Sequence, residues 1–126
     1  MHDITVAQSV AEEIIEKLRG KRPKSITVEM DVGALRFHDT TQVGFWLKEL
    51  LRKEFGKKLR VSSKIGVLEA KIRCECGYEG PVEDIQTDHE LMHQGIYTMK
   101  CPKCGSEDYE LAQGNEIVLK KINVTE

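Results

Sequence analysis

Ser25-Ile26-Thr27-Val28-Glu29-Met30-Asp31-Val32-Gly33 alternates apolar and polar side chains without a break. Successive side chains of a strand point to opposite faces, so this run reads as a half-buried strand. Ile26, Val28, Met30 and Val32 lie on its covered side. Something apolar must cover that face, and the flanking sequence supplies it twice. Upstream, from about Ile4 to Arg19, Ala7, Val10, Ala11, Ile14, Ile15 and Leu18 recur at helical spacing. Gly20 ends this helix and Pro23 prevents its return. Downstream, Asp39, Thr40 and Thr41 offer an N-cap to a second helix that runs to about Phe55. Its apolar stripe is Val43, Trp46, Leu47, Leu50, Leu51 and Phe55, and Gly56 stops it.

Further out, about Leu59 to Arg73 is extended, and its inward phase switches. Leu59, Val61, Ser63, Ile65 and Val67 are odd-numbered, whereas Leu68, Ala70 and Ile72 are even-numbered. Gly66 sits at the change, which predicts a bulge or bend there. A cysteine-bearing stretch follows and ends near Gly114. Ile117, Leu119 and Ile122 then mark a last strand that needs a sheet, and the simplest closure returns it to the first one. The expected fold is α+β: two helices on a three-stranded sheet, in the order α-β-α-β-[zinc module]-β, with an inserted four-cysteine, zinc-ribbon-like module. The expected units are residues 1–72 plus 114–126, and the module 73–113.

The four cysteines of the chain fall in two tight pairs, Cys74-Glu75-Cys76-Gly77 and Cys101-Pro102-Lys103-Cys104-Gly105. Twenty-four residues separate the pairs. Two close thiol pairs at such a separation put four sulfurs around one ion, and structural zinc takes tetrahedral sulfur coordination. In the second pair the turn aims backbone N–H groups at the sulfurs, and Gly105 lets the backbone curl behind them. The first pair, with one intervening residue, makes a more cramped turn. A redox pair or a disulfide set is the competing reading; no helix start follows either pair, as a thioredoxin-like site requires.

Bulk properties narrow the function classes. The chain has 126 residues and a net charge of −2, with 32% charged and 6% aromatic residues. That is one domain, or one domain carrying a small module that a metal would stabilise. The absence of a strongly basic stretch argues against a nucleic-acid partner. No run approaches the ~18 apolar residues of a membrane span. Glu12, Glu13 and Glu16, which read as a solvated helix face, interrupt any signal-peptide core. The expected location is cytoplasmic, where thiols stay reduced.

Two histidine features carry further chemistry. At Met1-His2-Asp3, the α-amine, the amide nitrogen and imidazole of His2 and the amide of Asp3 can form a planar nitrogen set; the bland reading is that His2 is an ordinary residue of a Met-His start. Such a set suits Ni(II) or Cu(II) and not zinc. His89-Glu90-Leu91-Met92-His93 matches H-E-x-x-H, the zinc-peptidase signature. A peptidase needs a long supporting helix, a third ligand and a cleft, whereas this segment lies in a short connection with Gly95 just beyond it. The bland reading is a polar loop or short helix; an intermediate one makes His89 or His93 an auxiliary metal ligand. His38 reads as a loop residue and Trp46 as core. No other catalytic arrangement stands out, so no enzymatic activity is expected.

Taken in order, Met1-His2-Asp3, Ser25–Gly33 with Ala34-Leu35, Cys76-Gly77-Tyr78-Glu79, Cys101-Pro102-Lys103-Cys104-Gly105-Ser106 and Gly114-Asn115-Glu116 resemble the HypA/HybF family of hydrogenase nickel-incorporation proteins. The resemblance covers essentially the whole chain. It implies a metallochaperone in which His2, with the Met1 amine and backbone amides including that of Asp3, holds Ni(II), while Cys74, Cys76, Cys101 and Cys104 hold a structural Zn(II). The implied acceptor is the precursor of the [NiFe] hydrogenase large subunit, and the implied partner is a HypB-type nickel-handling GTPase. Some relatives serve urease maturation. A homodimer exchanging its module or helices is compatible with the sequence. Two departures stand out: the family usually has Glu where this chain has Asp3, and C-x-x-C where it has Cys74-Glu75-Cys76. If one sulfur is displaced, His89 or His93 is the nearest substitute. An N-terminal nitrogen set also releases metal readily, since imidazole titrates near about pH 6.5 and a partner contact displaces one arm at a time. The alternatives are a zinc-ribbon module that binds protein or nucleic acid, and a small metallopeptidase built on His89, Glu90 and His93.

Overall fold

The computed structural model describes residues 3–37, 39–82, 85–86 and 98–126. Helix α1 spans Asp3–Lys17 and strand β1 spans Ser25–Gly33. Helix α2 spans Thr40–Phe55 and strand β2 Arg60–Leu68. The remaining strands are β3 (Lys71–Cys74), β4 (Glu79–Pro81), β5 (Ile85–Gln86), β6 (Thr98–Met99), β7 (Tyr109–Gln113) and β8 (Ile117–Thr125). They form a three-stranded sheet in the order β2-β1-β8, a second in the order β4-β3-β7, and a two-stranded ladder β5-β6. The α+β expectation of two helices with a three-stranded sheet and a four-cysteine module is met.

The first sheet is built around the alternating run. β1 pairs in parallel with β2 and antiparallel with β8. Ile26, Val28, Met30 and Val32 are fully buried beneath Val6, Ala7, Val10, Ala11 and Ile14 of α1 and Val43, Leu47 and Leu51 of α2. Each large aliphatic side chain so buried contributes about 1.5–3 kcal/mol. Trp46, Leu50 and Phe55 pack around this core half-buried. The start of α2 has a local cause: Asp39 is extended (φ −147°, ψ 119°) and its carboxylate accepts from the Thr41 amide at 2.9 Å.

The segment after α2 departs from expectation at one point. The β1–β2 register runs unbroken through Asp31↔Gly66, so there is no bulge at Gly66. The phase switch instead arises at Glu69-Ala70, where the chain leaves the first sheet for the second. Val67, expected inside, is 54% exposed, whereas Ala70 and Ile72 are buried in a different core. Gly66 has another use: a Cβ there would stand 2.3 Å from Asp31 Oδ1. The first sheet's irregularity lies on its other edge, where Glu29 faces Lys121 and Met30 faces Leu119, leaving Lys120 as the extra residue.

The second sheet encloses a small core of Leu35, Ala70, Ile72, Val82, Met99 and Cys101. Leu35 comes from the turn after β1 and ties the two cores together. Its amide bonds the Gly114 carbonyl at 2.9 Å, while the Ala34 amide bonds the Leu68 carbonyl at 2.8 Å. The backbones there nearly touch: a Cβ on Gly33 would lie 2.2 Å from the Gly114 oxygen, and one on Gly114 (φ +124°) would lie 2.8 Å from Ala70 Cα. No described helix is long and apolar enough to cross a membrane.

Candidate metal centre

Each cysteine is placed by a short piece of regular backbone. Cys74 ends β3, and its amide donates to the Tyr78 carbonyl at 2.9 Å while its carbonyl accepts from the Gly77 amide at 3.0 Å. This closes the turn that carries Cys76. Cys101 and Cys104 sit on the second turn, where the Gly105 amide donates to the Cys101 carbonyl at 2.8 Å and the Cys101 amide to Ser106 at 2.9 Å. Gly105 adopts φ +76° and Gly77 φ +98°, which residues with a Cβ rarely adopt. The tight curl expected of Gly105 is therefore present.

The two turns bring all four sulfurs together. Cys74 Sγ lies 3.6 Å from Cys104 Sγ, and Cys76 Sγ lies 3.6 Å from Cys101 Sγ. All four lie within 4.8 Å of one another. A disulfide requires about 2.05 Å, so the thiols are unpaired. A tetrahedron of sulfurs about 2.3 Å from a zinc ion has edges of about 3.8 Å, close to these separations. The C-x-C spacing is thus no bar to both of its sulfurs reaching the cluster. Tyr78 and Ser106 supply backbone carbonyls that brace the turns, and the Asp108 amide donates to Ser106 Oγ at 3.0 Å. Nothing in residue type or spacing had singled these supports out.

The protonation of the cluster also fits a cation. The Cys76 amide favours a thiolate at Cys74, but burial and the crowding of Cys104, Cys76 and Cys101 outweigh it, and the Cys74 thiol is pushed up to about 12. Burial works against the Cys101 thiolate, yet the amides of Cys104 and Lys103, with the Cys76 and Cys104 thiols, bring it down to about 7. At Cys104 the Ser106 amide and the Cys74 thiol favour the thiolate, but burial and the thiols of Cys76 and Cys101 prevail and raise it. Four sulfurs this close cannot all ionise unless a cation stands among them.

The remaining predicted ligands stand elsewhere in the chain. His2, His38, His89 and His93, together with Met1 and Glu90, lie outside the described residues. Asp3 opens α1, and its carboxylate accepts from the Asp39 amide at 3.2 Å. The N-termini of α1 and α2 are thereby joined side by side, a link that no periodicity reveals.

A family model described as "Hydrogenase/urease nickel incorporation, metallochaperone, hypA" matches residues 1–124. The chain belongs to the HypA family. That family is described as one of metallochaperones, which agrees with the non-enzymatic reading and not with the peptidase alternative. HypA relatives match along nearly their full length. The hydrogenase maturation factor HypA of Methanothermobacter thermautotrophicus is 27% identical over 125 residues, covering 98% of this chain and 97% of the relative. That of Methanosarcina acetivorans is 26% identical over 133 residues, covering 98% and 96%. The solution structure of the Ni metallochaperone HypA from Helicobacter pylori shares the fold, with a TM-score of 0.52 at 21% identity over 98% of this chain and 97% of that one.

Proposed function

We propose that this HypA-family chain binds Ni(II) at its N-terminus and delivers it to the precursor of the [NiFe] hydrogenase large subunit. His2 supplies the imidazole, and the Met1 amine and the backbone amides of His2 and Asp3 complete a planar nitrogen set. The observation that carries this reading is the family match, which begins at residue 1 and runs to residue 124. The hydrogen bond from the Asp39 amide to Asp3 Oδ2 supports it, because a ligand set built on residues 1–3 then starts from a fixed point. A HypB-type nickel-handling GTPase is the partner the family implies. The setting is the cytoplasm, where four unpaired thiols persist.

Cys74, Cys76, Cys101 and Cys104 hold Zn(II) in this reading, with His89 or His93 as the auxiliary ligand should one sulfur be displaced. Bound zinc supplies four fixed tethers between two short turns and no reaction chemistry. Residues 1–72 with 114–126 act as the nickel-binding unit and 73–113 as the zinc module. The strand β3 that leads into the cysteines belongs to the second sheet.

The test is a Ni(II) titration of tag-free protein with an authentic Met1 start, followed by absorption, beside His2→Ala and an N-terminally extended form. A planar-nickel d–d band at one equivalent, lost in both variants, is the expected result. Unchanged binding in both variants places nickel elsewhere and overturns the assignment.

A further inference from the structure

The two edges of the first sheet are unlike each other. β8 carries the bulge at Lys120 and the charged pair Lys120-Lys121, devices that blunt an edge against pairing. β2 has neither. It is nine residues long, pairs with β1 in unbroken parallel register, and has no strand on its other side among the described residues. Beside that open side runs a groove of about 490 Å³ between β2 and the first turns of α2, lined by Thr41, Phe45, Lys48, Val61, Ser63 and Ile65 among others. Phe45, which lines it, is 50% exposed, and Val67, further along β2 in phase with Val61 and Ile65, is 54% exposed.

The charge around this edge is one-sided. Residues 55–68 contain Lys57, Lys58, Arg60 and Lys64 and no acidic residue, a local excess that the net charge of −2 conceals. Arg60 and Lys64 are exposed on the face of β2 opposite the groove, in phase with Ser62, whose hydroxyl hydrogen-bonds Thr27 on β1 at 3.1 Å. The carboxylates of that face, Glu29 and Asp31, both lie 3.7 Å from Lys120 on the far side of β1. Among the described residues Arg60 and Lys64 have no ion pair, and neither does Lys48 beside the groove.

We propose that the open edge of β2 is a docking site for an extended acidic segment of a partner protein, which pairs with β2 as a fourth strand. A strand added there presents alternate side chains to the two faces. On one face they are apolar, entering the groove beside Phe45 and Ile65. On the other they are acidic, meeting Arg60 and Lys64 across the strand pair. The partner is thus recognised by alternating apolar and acidic residues, a pattern that neither a bare polyanion nor a purely apolar segment satisfies. The surface is separate from the four-cysteine cluster, while its α2 end follows directly on Asp39, whose amide bonds Asp3 at the start of α1.

The probe is a fluorescein-labelled eight-residue peptide alternating valine with glutamate, titrated into full-length zinc-loaded protein and followed by anisotropy and by amide shifts in NMR. Shifts confined to Arg60–Leu68 and the first turns of α2 are expected, with binding weakened by salt and by about tenfold or more in Phe45→Glu/Lys64→Glu. Both substituted positions are exposed, so the variant's circular dichroism and zinc content should match the parent's. A peptide with lysine in place of glutamate should not bind. Equal binding of that peptide, shifts at β8 instead of β2, no binding at all, or concentration-dependent β2 shifts without peptide (the edge then belonging to a second copy of the chain) each overturn the proposal.

Discussion

Cys74 and Cys101 illustrate how position, and not residue type, sets the work a thiol must do before it holds a metal. Cys74, pushed up to about 12 by burial and neighbouring thiols against the pull of the Cys76 amide, keeps its proton throughout the neutral range. Cys101 is brought down to about 7 by the amides of Cys104 and Lys103, which outweigh its burial. Zinc binds thiolates, so the Cys74 proton leaves on metal binding at any pH near neutrality, while the Cys101 proton must be displaced only below about pH 7. Each proton released makes affinity fall by about tenfold per unit decrease in pH, so zinc affinity should rise from pH 6 to pH 8, with the steeper slope below 7. Competition with a chromophoric chelator at pH 6, 7 and 8 measures this, and a flat profile would contradict it. The four-cysteine cluster was legible because two close thiol pairs are rare by accident. The proton inventory was not, since it depends on which amides face which sulfur. Gly66 shows the same limit: its place in the sequence suggested a bulge, and only the neighbouring strand reveals that Asp31 Oδ1 occupies the space a side chain would need.

Helices and strands followed from periodicity wherever an element has one buried face throughout its length. The stripe read for α1 is the buried stripe, with Val6 added and Ile15 at its edge, and Asp39 caps α2 as its residue type demands. The Asp39 amide also donates to the Asp3 carboxylate, so one residue serves two helix starts through different groups. Asp39→Ala removes the cap on the Thr41 amide and leaves the backbone bond to Asp3 available. It should cost about 1 kcal/mol, with Asp39→Ser recovering most of that, read from urea unfolding midpoints with an unchanged slope. Equal stability of all three proteins would mean that water replaces the cap at no cost. Periodicity failed in the stretch from Leu59 to Arg73, and for a specific reason. That chain serves two sheets in succession, so its inward parity changes where it crosses at Glu69-Ala70. A sequence records the parity change but not which sheet each half joins.

Across the whole molecule, two cores of unequal size meet at a narrow crossing. Among the described residues, the first core has fourteen buried members and the second has six, of which one is Leu35 from the turn after β1 and another is Cys101 itself. Among the described residues that core is too small to offset the backbone entropy of the strands around it, so order in the second unit is expected to depend on a metal at the four-cysteine cluster and on Leu35. The first unit does not, because β8 returns from the module and completes the sheet with β1 through eight residue pairs. Stripping zinc with a chelator should therefore remove structure from β3, β4 and β7 while α1, α2 and the β2-β1-β8 sheet persist. Far-UV circular dichroism at 222 nm should change little, whereas amide exchange should accelerate at Ile72, Leu111 and their neighbours and stay slow at Val28 and Leu47. Adding zinc back should restore protection. Loss of helical signal in step with zinc would show instead that the crossing at Gly33, Ala70 and Gly114 makes the two cores one cooperative unit, a coupling that backbones packed within van der Waals contact are able to transmit. The inserted module and the returning strand were readable from the order of apolar runs. Their mutual dependence rests on three residues brought together only by folding.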